Sequence, residues 1–117
     1  MPRFYLNGVL IVVDEFKNHG ELKNCYYFLS HFHTDHYEGV TRDMTVYGSE
    51  LTCELLGTRS KCKTMPLRSK LPFEFAHKII VTLFDANHCP GAVMFLFEDL
   101  VSSKTILCTG DFRYDVE

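Results

Sequence analysis

The sequence predicts an α+β fold, and its hydrophobic pattern indicates this class. Apolar runs of strand length recur along the chain, at 9–13, 25–29, 45–47, 79–84, 92–97 and 105–108. One segment has helical spacing instead, beginning at an N-capping Ser49 and ending near Gly57. A chain of 117 residues is long enough for one hydrophobic core but not for two.

Four of the apolar runs are followed closely by a polar residue that can bind a metal ion. These residues are Asp14, His31, His88 and Asp111. Ligands collect where strand ends converge in layered folds. The sequence therefore predicts a single site at one edge of a sheet.

Composition and charge exclude several classes of protein. The chain is 46% hydrophobic and 23% charged, which is near the average for globular domains and excludes wholesale disorder. No uncharged apolar run approaches the ~18 residues of a membrane span, so no membrane partner is expected. Five scattered cysteines without a C-x-x-C pair, and no secretory signal, indicate reduced thiols in the cytosol or nucleus. The net charge of −3 neither suggests nor excludes a nucleic-acid partner.

The segment 58–72 is basic and has the least regular pattern in the chain. Prolines at 66 and 72 interrupt it, and we interpret it as a solvated loop. The alternative is a surface that binds phosphates. Its five cations are Arg59, Lys61, Lys63, Arg68 and Lys70.

The strongest functional signal is the segment 31–36, which holds three histidines and one aspartate directly after an apolar strand. A tight loop there can turn alternate side chains toward one point. His31 and His33 are then expected to bind one cation, and Asp35 and His36 a second beside it. Imidazole and carboxylate together suit zinc, or a borderline ion such as manganese. The alternative, a polar loop whose histidines only bond the backbone, is disfavoured by this density of ligands.

Three residues outside this segment are candidates for the same site. His88 precedes a Pro-Gly turn and is the natural third imidazole for the first metal. Asp111 follows a glycine and could bridge two cations roughly 3.5–4 Å apart. Asp14 is expected to orient the histidine loop by hydrogen bonds rather than to bind metal. Taken alone, His88 and Asp111 would be interpreted as ordinary turn residues, and for Asp14 a plain strand-end aspartate is an almost equally good interpretation.

The candidate ligands together resemble the metal-binding pattern of the metallo-β-lactamase superfamily. The segments 27–31, 85–97 and 109–114 look like those of the β-CASP DNA-processing nucleases. They are closest to the Artemis and Apollo group of cross-link repair and telomere-end nucleases, and residues 7–11 lean toward its Apollo branch. The resemblance covers most of residues 7–114 and is weak between about 41 and 78.

This resemblance implies a metal-dependent 5′-to-3′ DNA exonuclease that hydrolyses phosphodiesters in the nucleus. It implies zinc as the cofactor, with one or two ions, and DNA with 5′-phosphorylated ends as the partner. Asp35 and Asp111 would be the catalytic residues, and Asp14 matches the family's buried acidic residue that supports the loop. The implied metal ligands are His31, His33 and His88 for the first ion, Asp35 and His36 for the second, and Asp111 as the bridge.

The family pattern extends beyond what residues 1–117 contain. The second half of the αββα sandwich, the β-CASP insert and a later histidine ligand are not found, which leaves the second metal short of a ligand. We therefore expect the N-terminal half of a metallo-β-lactamase αββα sandwich, from a longer nuclease or a truncated product. The apolar strands are expected to form essentially one of the two sheets, with one face uncovered.

Two other functions stay open at this point. The first is a hydrolase of small thioesters or β-lactams, against which the residues around His88 and Arg113 speak. The second is a non-catalytic short form that binds a metal or a partner and cuts nothing.

Overall fold

The structure is a computed structural model and describes residues 3–16, 24–86, 90–109 and 113–116. For residues 34, 35 and 113–116 it describes the backbone alone.

Five strands form the first sheet, in the order in which they occur in the chain. They are β1 (Arg3–Leu6), β2 (Val9–Val13), β3 (Cys25–Phe28), β4 (Thr45–Ser49) and β5 (Lys63–Leu67). The pairing of β1 with β2 is antiparallel, and every other pairing is parallel. Helix α1 (Thr34–Tyr37) lies in the connection from β3 to β4, and α2 (Glu50–Gly57) lies in the connection from β4 to β5.

The second sheet is an antiparallel meander in which each strand pairs with the next along the chain. Its strands are β6 (Phe73–Ala76), β7 (Ile79–Asp85), β8 (Val93–Asp99), β9 (Thr105–Cys108) and β10 (Arg113–Val116). Along β8, buried and half-buried residues alternate strictly, because successive side chains point to opposite faces. One face of β8 is therefore fully covered.

The prediction of an α+β fold is confirmed, but the prediction that the strands form essentially one sheet is wrong. The short turns after β6 and β8 fold the chain back on itself, whereas the strands β2 to β5 are joined by longer connections that make them parallel. The incompletely covered face is the outer face of the second sheet, where Ile80, Met94 and Leu96 are half-buried.

The interpretation of 58–72 as a solvated loop is also wrong, because it contains the edge strand β5. The predicted strands and the helix capped by Ser49 are confirmed, with small shifts at their ends. Besides β5, the sequence patterns did not predict four elements, namely β1, β6, β10 and α1.

Aromatic side chains fill the space between the two sheets. Phe28 of the first sheet is fully buried, and its ring centroid lies 4.9 Å from Phe97, 5.1 Å from Phe75 and 5.3 Å from Phe95. All three ring pairs are edge-to-face, a geometry that aromatic quadrupoles favour. The two sheets therefore share one continuous apolar layer.

A second, smaller cluster covers the outer face of the first sheet. Leu56 of α2 is fully buried there, beside Val12, Leu29 and Val46 from the sheet. The Ser49 hydroxyl caps α2 by accepting the Thr52 N–H at 3.2 Å. The described residues thus form helix, sheet and sheet layers. Among them, no helix is long and apolar enough to cross a membrane.

Candidate metal centre

The candidate site lies where the parallel strands of the first sheet end. Asp14 directly follows β2, and its N–H donates to the Phe28 carbonyl at 2.9 Å. The next strand along, β3, ends one residue before Leu29, whose N–H donates to the Tyr47 carbonyl at 2.9 Å. Because parallel strands end at the same edge, these pairings bring Asp14 beside the start of the histidine segment.

The second sheet reaches the same edge. The Val93 N–H donates to the Ser30 carbonyl at 2.9 Å, so the start of β8 is joined to the residue before His31. The Ala86 N–H donates to the Ala92 carbonyl at 3.0 Å and closes the connection between β7 and β8. The site therefore forms at the place where both sheets meet.

Three imidazoles come together at this edge. The nitrogen atoms that His31, His33 and His36 can each offer to a metal all lie within 4.8 Å of one another. The ring centroids of His31 and His36 are 4.2 Å apart, and His33 lies 5.8 and 5.7 Å from them. His31 is buried, His36 is half-buried and His33 is exposed, so the cluster opens to solvent on one side.

Helix α1 brings His33 and His36 to the same side. The N–H groups of His36 and Tyr37 both donate to the His33 carbonyl, at 2.9 and 3.2 Å, which closes a tight turn. The rings of Phe32 and Tyr37 stack at 4.8 Å with an interplanar angle of 4° and pack on the outer core of the first sheet. The apolar residues of this segment therefore anchor it while the histidines face the site.

Asp14 is the centre of the hydrogen bonds beneath the cluster. It is 3% exposed and has a φ of 57°, a left-handed conformation that Asp tolerates better than most residues. One carboxylate oxygen accepts the Ser30 N–H at 2.7 Å. The other accepts the Ser30 hydroxyl at 2.6 Å and lies 3.2 Å from Nδ1 of His36.

These contacts fix the tautomers of two imidazoles. A carboxylate can only accept, so Nδ1 of His36 carries a proton, and in the neutral imidazole Nε2 keeps its lone pair. The single Ser30 hydroxyl proton goes to Asp14, so the 2.9 Å contact between Ser30 and Nδ1 of His31 has the imidazole as donor. Both histidines thus present Nε2 as the atom for a metal ion, the usual arrangement of a histidine ligand supported by a carboxylate.

The residues fit a zinc-type ion by chemistry and by spacing. Two nitrogens bound to one zinc at about 2.1 Å are about 3.4 Å apart in tetrahedral geometry. The observed upper separation of 4.8 Å requires only a small closure of the three side chains. It also suits two ions at roughly 3.5–4 Å.

The structure brings together four of the sequence-predicted site residues, Asp14, His31, His33 and His36. Asp35 lies in α1, but its side chain is outside the described part of the chain. His88 and Asp111 also lie outside the described residues, so their roles stay predictions.

The sequence pattern missed Ser30. It is 2% exposed and connects Asp14 with His31. A signal was available: a hydroxyl residue directly after an apolar strand and directly before a candidate ligand must satisfy its donor locally if it is buried.

Sequence comparison finds relatives among DNA-repair proteins. The chain is 45% identical over 114 residues to DNA cross-link repair 1A protein of Mus musculus, covering 92% of this chain and 11% of that protein. It is 48% identical over 93 residues to 5′ exonuclease Apollo of Gallus gallus, covering 75% and 20%. It is 35% identical over 128 residues to PSO2/SNM1 of Saccharomyces cerevisiae, covering 92% and 19%. The chain thus spans between about a tenth and a fifth of the length of these three relatives.

Structure comparison supports the fold assignment. Zn(2+)-bound PqqB from Methylobacterium extorquens, a metallo-β-lactamase fold, matches with a TM-score of 0.61 at 13% identity. The match covers 90% of this chain and 46% of PqqB. No protein-family model matches the chain.

Proposed function

By sequence this chain is a relative of the DNA cross-link repair proteins of the 1A, Apollo and PSO2/SNM1 group, and on this premise we propose that it forms the N-terminal catalytic part of a metal-dependent 5′-to-3′ DNA exonuclease. The observation that carries the proposal is the convergence of His31, His33 and His36, supported by the buried Asp14. A relative at 48% identity is named a 5′ exonuclease.

The proposed ligands divide between two ions. His31, His33 and His88 would hold one zinc ion, Asp35 and His36 would hold the other, and Asp111 would bridge them. Bound zinc would supply Lewis-acid activation of water and neutralise charge on a phosphodiester. The chain's own part would be to place the proton of the neutral imidazole on Nδ1 of His31 and His36, so that Nε2 is available to the metal; the contacts to Ser30 and Asp14 support this role.

The proposed substrate is DNA with a 5′-phosphorylated end, and the proposed compartment is the nucleus. The names of the relatives support cross-link repair as the process, and telomere-end processing is a second process that such an activity would serve. Asp35 and Asp111 would be the catalytic residues, because each would hold a metal ion against the reacting phosphate.

The test is turnover of a 5′-phosphorylated single-stranded oligonucleotide by the full-length protein. We expect Asp111→Ala and Asp35→Ala each to abolish turnover while the thermal unfolding transition is retained, and a chelator to abolish turnover by the unmodified protein. Asp43→Ala, which removes an exposed carboxylate, is the matched control and should keep the full rate. Near-normal turnover by Asp111→Ala would contradict the assignment of the bridging ligand.

A second arm tests the non-catalytic alternative. Zinc binding to the full-length protein without any chelator-sensitive cleavage of DNA would favour a metal-binding protein over a nuclease.

A further inference from the structure

The charges of the chain are strongly segregated. Between residues 58 and 73 there are five cationic side chains and no Asp or Glu. The rest of the chain has seven Lys or Arg against 15 Asp or Glu. The net charge of −3 therefore conceals one strongly basic segment in an otherwise acidic protein.

The structure turns this segment into a defined surface. Lys63–Leu67 form β5, the edge strand of the first sheet, which pairs in parallel with β4. After β5, the N–H of Lys70 donates to the Leu83 carbonyl at 2.7 Å, and Ser69 forms a bridge to Leu83. The backbone that carries Arg68 and Lys70 is therefore fixed against the second sheet. We call the five cations the basic edge: Arg59, Lys61, Lys63, Arg68 and Lys70.

The basic edge is open to solvent. All five side chains are exposed, and among the residues that the structure describes no carboxylate forms an ion pair with any of them. Leu67, between Lys63 and Arg68, is buried between the sheets and holds the strand in place. The cations are thus carried by a hydrogen-bonded backbone and have no ion-pair partner among the described side chains.

Position relates the basic edge to the histidine cluster. Because β3, β4 and β5 are parallel, Arg68 and Lys70 follow β5 at the same edge of the sheet at which His31 follows β3. Two strand spacings separate β3 from β5, which is roughly 10 Å. Lys63 lies at the other end of β5, roughly 16 Å from Arg68 at about 3.3 Å per residue.

Protection of an exposed sheet edge explains part of this pattern. Lysine and proline on an edge strand prevent pairing with another chain, and Lys63 and Pro66 fit that role. Edge protection does not explain Arg68 and Lys70, which lie beyond the strand. Nor does it explain the lack of any acidic residue over 16 positions, since charges of either sign protect an edge.

We propose that the basic edge binds the phosphate backbone of the DNA strand whose end is cut at the histidine cluster. This inference rests on the proposed function. Arg68 and Lys70 contact the phosphates nearest to the metal site, and Lys63, Lys61 and Arg59 contact phosphates further along. At about 3.4 Å of rise per nucleotide, the span from Lys63 to Arg68 corresponds to roughly five nucleotides. Arginine suits this role because its planar group can bind phosphate through two N–H groups.

The test measures DNA binding apart from cleavage. The full-length protein is titrated, in chelator, with a fluorescent 5′-phosphorylated single-stranded oligonucleotide at salt concentrations from 50 to 200 mM. Arg68→Gln/Lys70→Gln should weaken binding and reduce the slope of log K against log salt by about 1.4, since each contact with a single strand contributes about 0.7. Between 50 and 200 mM salt, the factor by which affinity falls should therefore be roughly sevenfold smaller for the variant than for the unmodified protein.

Matched variants make the result specific. Lys78→Gln/Lys104→Gln removes two exposed cations from turns at the opposite end of the second sheet and should leave the slope unchanged. The swap Arg68→Lys/Lys70→Arg keeps the charge and should keep the slope. Thermal unfolding of each variant separates a binding defect from misfolding.

The outcomes separate the two proposals. Suppose that the unmodified protein binds and cleaves DNA, but Arg68→Gln/Lys70→Gln has the same slope as Lys78→Gln/Lys104→Gln. The proposal that the basic edge binds DNA is then overturned, and the nuclease proposal stands. If the protein binds DNA with the predicted loss of slope but does not cleave it, the basic edge stands and the nuclease proposal fails. If the protein does not bind DNA, both fail.

Discussion

The side-chain hydroxyl of Ser49 donates a hydrogen bond of 2.7 Å to the carbonyl oxygen of Gly91. The Thr52 hydroxyl donates to the same carbonyl at 3.1 Å. Ser49 also caps α2, so one hydroxyl serves both the helix and the connection between β7 and β8. The N-terminus of α2 is therefore bonded to Gly91, which lies three positions after the proposed ligand His88 in the sequence.

The first prediction concerns the close contact at this point. Gly91 has a φ of +83°, and a Cβ added there would lie 3.1 Å from the Leu51 Cβ. Gly91→Ala should lower the free energy of unfolding by the left-handed cost of about 1–2 kcal/mol and by a further ~1–3 kcal/mol from overpacking. Urea unfolding measures the loss. Gly8→Ala is the matched control, because Gly8 has a φ of +77° with nothing within 4 Å. Equal losses in the two variants would contradict a close contact at Gly91.

The second prediction concerns Asp14. In Asp14→Asn the amide nitrogen would donate toward Nδ1 of His36, where the carboxylate accepts, so the imidazole proton would move to Nε2. We expect zinc affinity to fall about 10- to 100-fold, measured by competition with a chelating indicator.

Asp99→Asn is the control for Asp14→Asn. Asp99 is equally buried, at 3% exposure, and also accepts a serine hydroxyl and a backbone N–H. It lies at the end of β8 far from the edge that holds the histidines. This variant should lose stability and keep its zinc affinity. A similar loss of affinity in both variants would mean that the effect is one of general stability.

The third prediction concerns the layer between the sheets. Phe28→Ala removes a fully buried ring that contacts aromatic rings of the second sheet, and should lower the free energy of unfolding by about 3–5 kcal/mol. Tyr5→Ala, at a position that is 69% exposed, should change it by no more than about 0.5 kcal/mol. Urea unfolding followed by circular dichroism compares the two. A loss below about 1 kcal/mol for Phe28→Ala would show that the sheets do not share a core.

The fourth prediction concerns thiol reactivity. Burial and, to a smaller extent, the nearby Cys62 thiol raise the pKa of Cys53 to about 11, against the opposing effect of a hydrogen bond with the Gly48 backbone. At pH 8 the thiolate fraction of Cys53 is then about one in a thousand. Alkylation with iodoacetamide, followed by mass spectrometry, should label Cys53 roughly a hundredfold more slowly in the native protein than in urea. Cys62, which is half-buried, serves as the internal reference.

The same pKa shift has a consequence for stability. The unfolded chain releases the Cys53 proton near the ordinary value of 9.0, whereas the folded protein keeps it to about pH 11. The unfolded state therefore binds fewer protons in this range, and stability falls as the pH rises from 9 to about 11. Cys53→Ala should show a shallower fall in the urea midpoint over the same range. An unchanged pH dependence would contradict the assignment.

Local patterns were sufficient for part of the fold. The apolar runs that became β2, β7 and β8 are long and β-branched or aromatic, and the helix after Ser49 has a cap and apolar spacing. The strand β1 was missed although Asn7 and Gly8 form a turn with φ values of 49° and 77°, because residues 3–6 alternate and are too few for a strong signal. β5 was missed because Pro66 and its lysines suggest a loop, although both are tolerated on an edge strand.

The ligands of the candidate site were predictable because three histidines occur within six residues. The residues that orient these ligands by hydrogen bonds were only partly predictable. The position of Asp14 at a strand end indicated an orienting role, and the structure gives it contacts to Ser30 and His36. Ser30 can connect Asp14 with His31 only because β2 and β3 are neighbours in the sheet, and no local sequence pattern predicts that pairing.

The different connectivity of the two sheets has a consequence for folding kinetics. In both sheets consecutive strands pair, but the connections in the second sheet are short, whereas the parallel strands of the first sheet must close longer loops before they pair. The second sheet is therefore expected to form early and the first sheet late. Asp14 and Ser30, separated by 16 residues, meet only when β2 and β3 have paired. Zinc added during refolding should therefore bind in the final kinetic phase and leave the rates of the earlier phases unchanged.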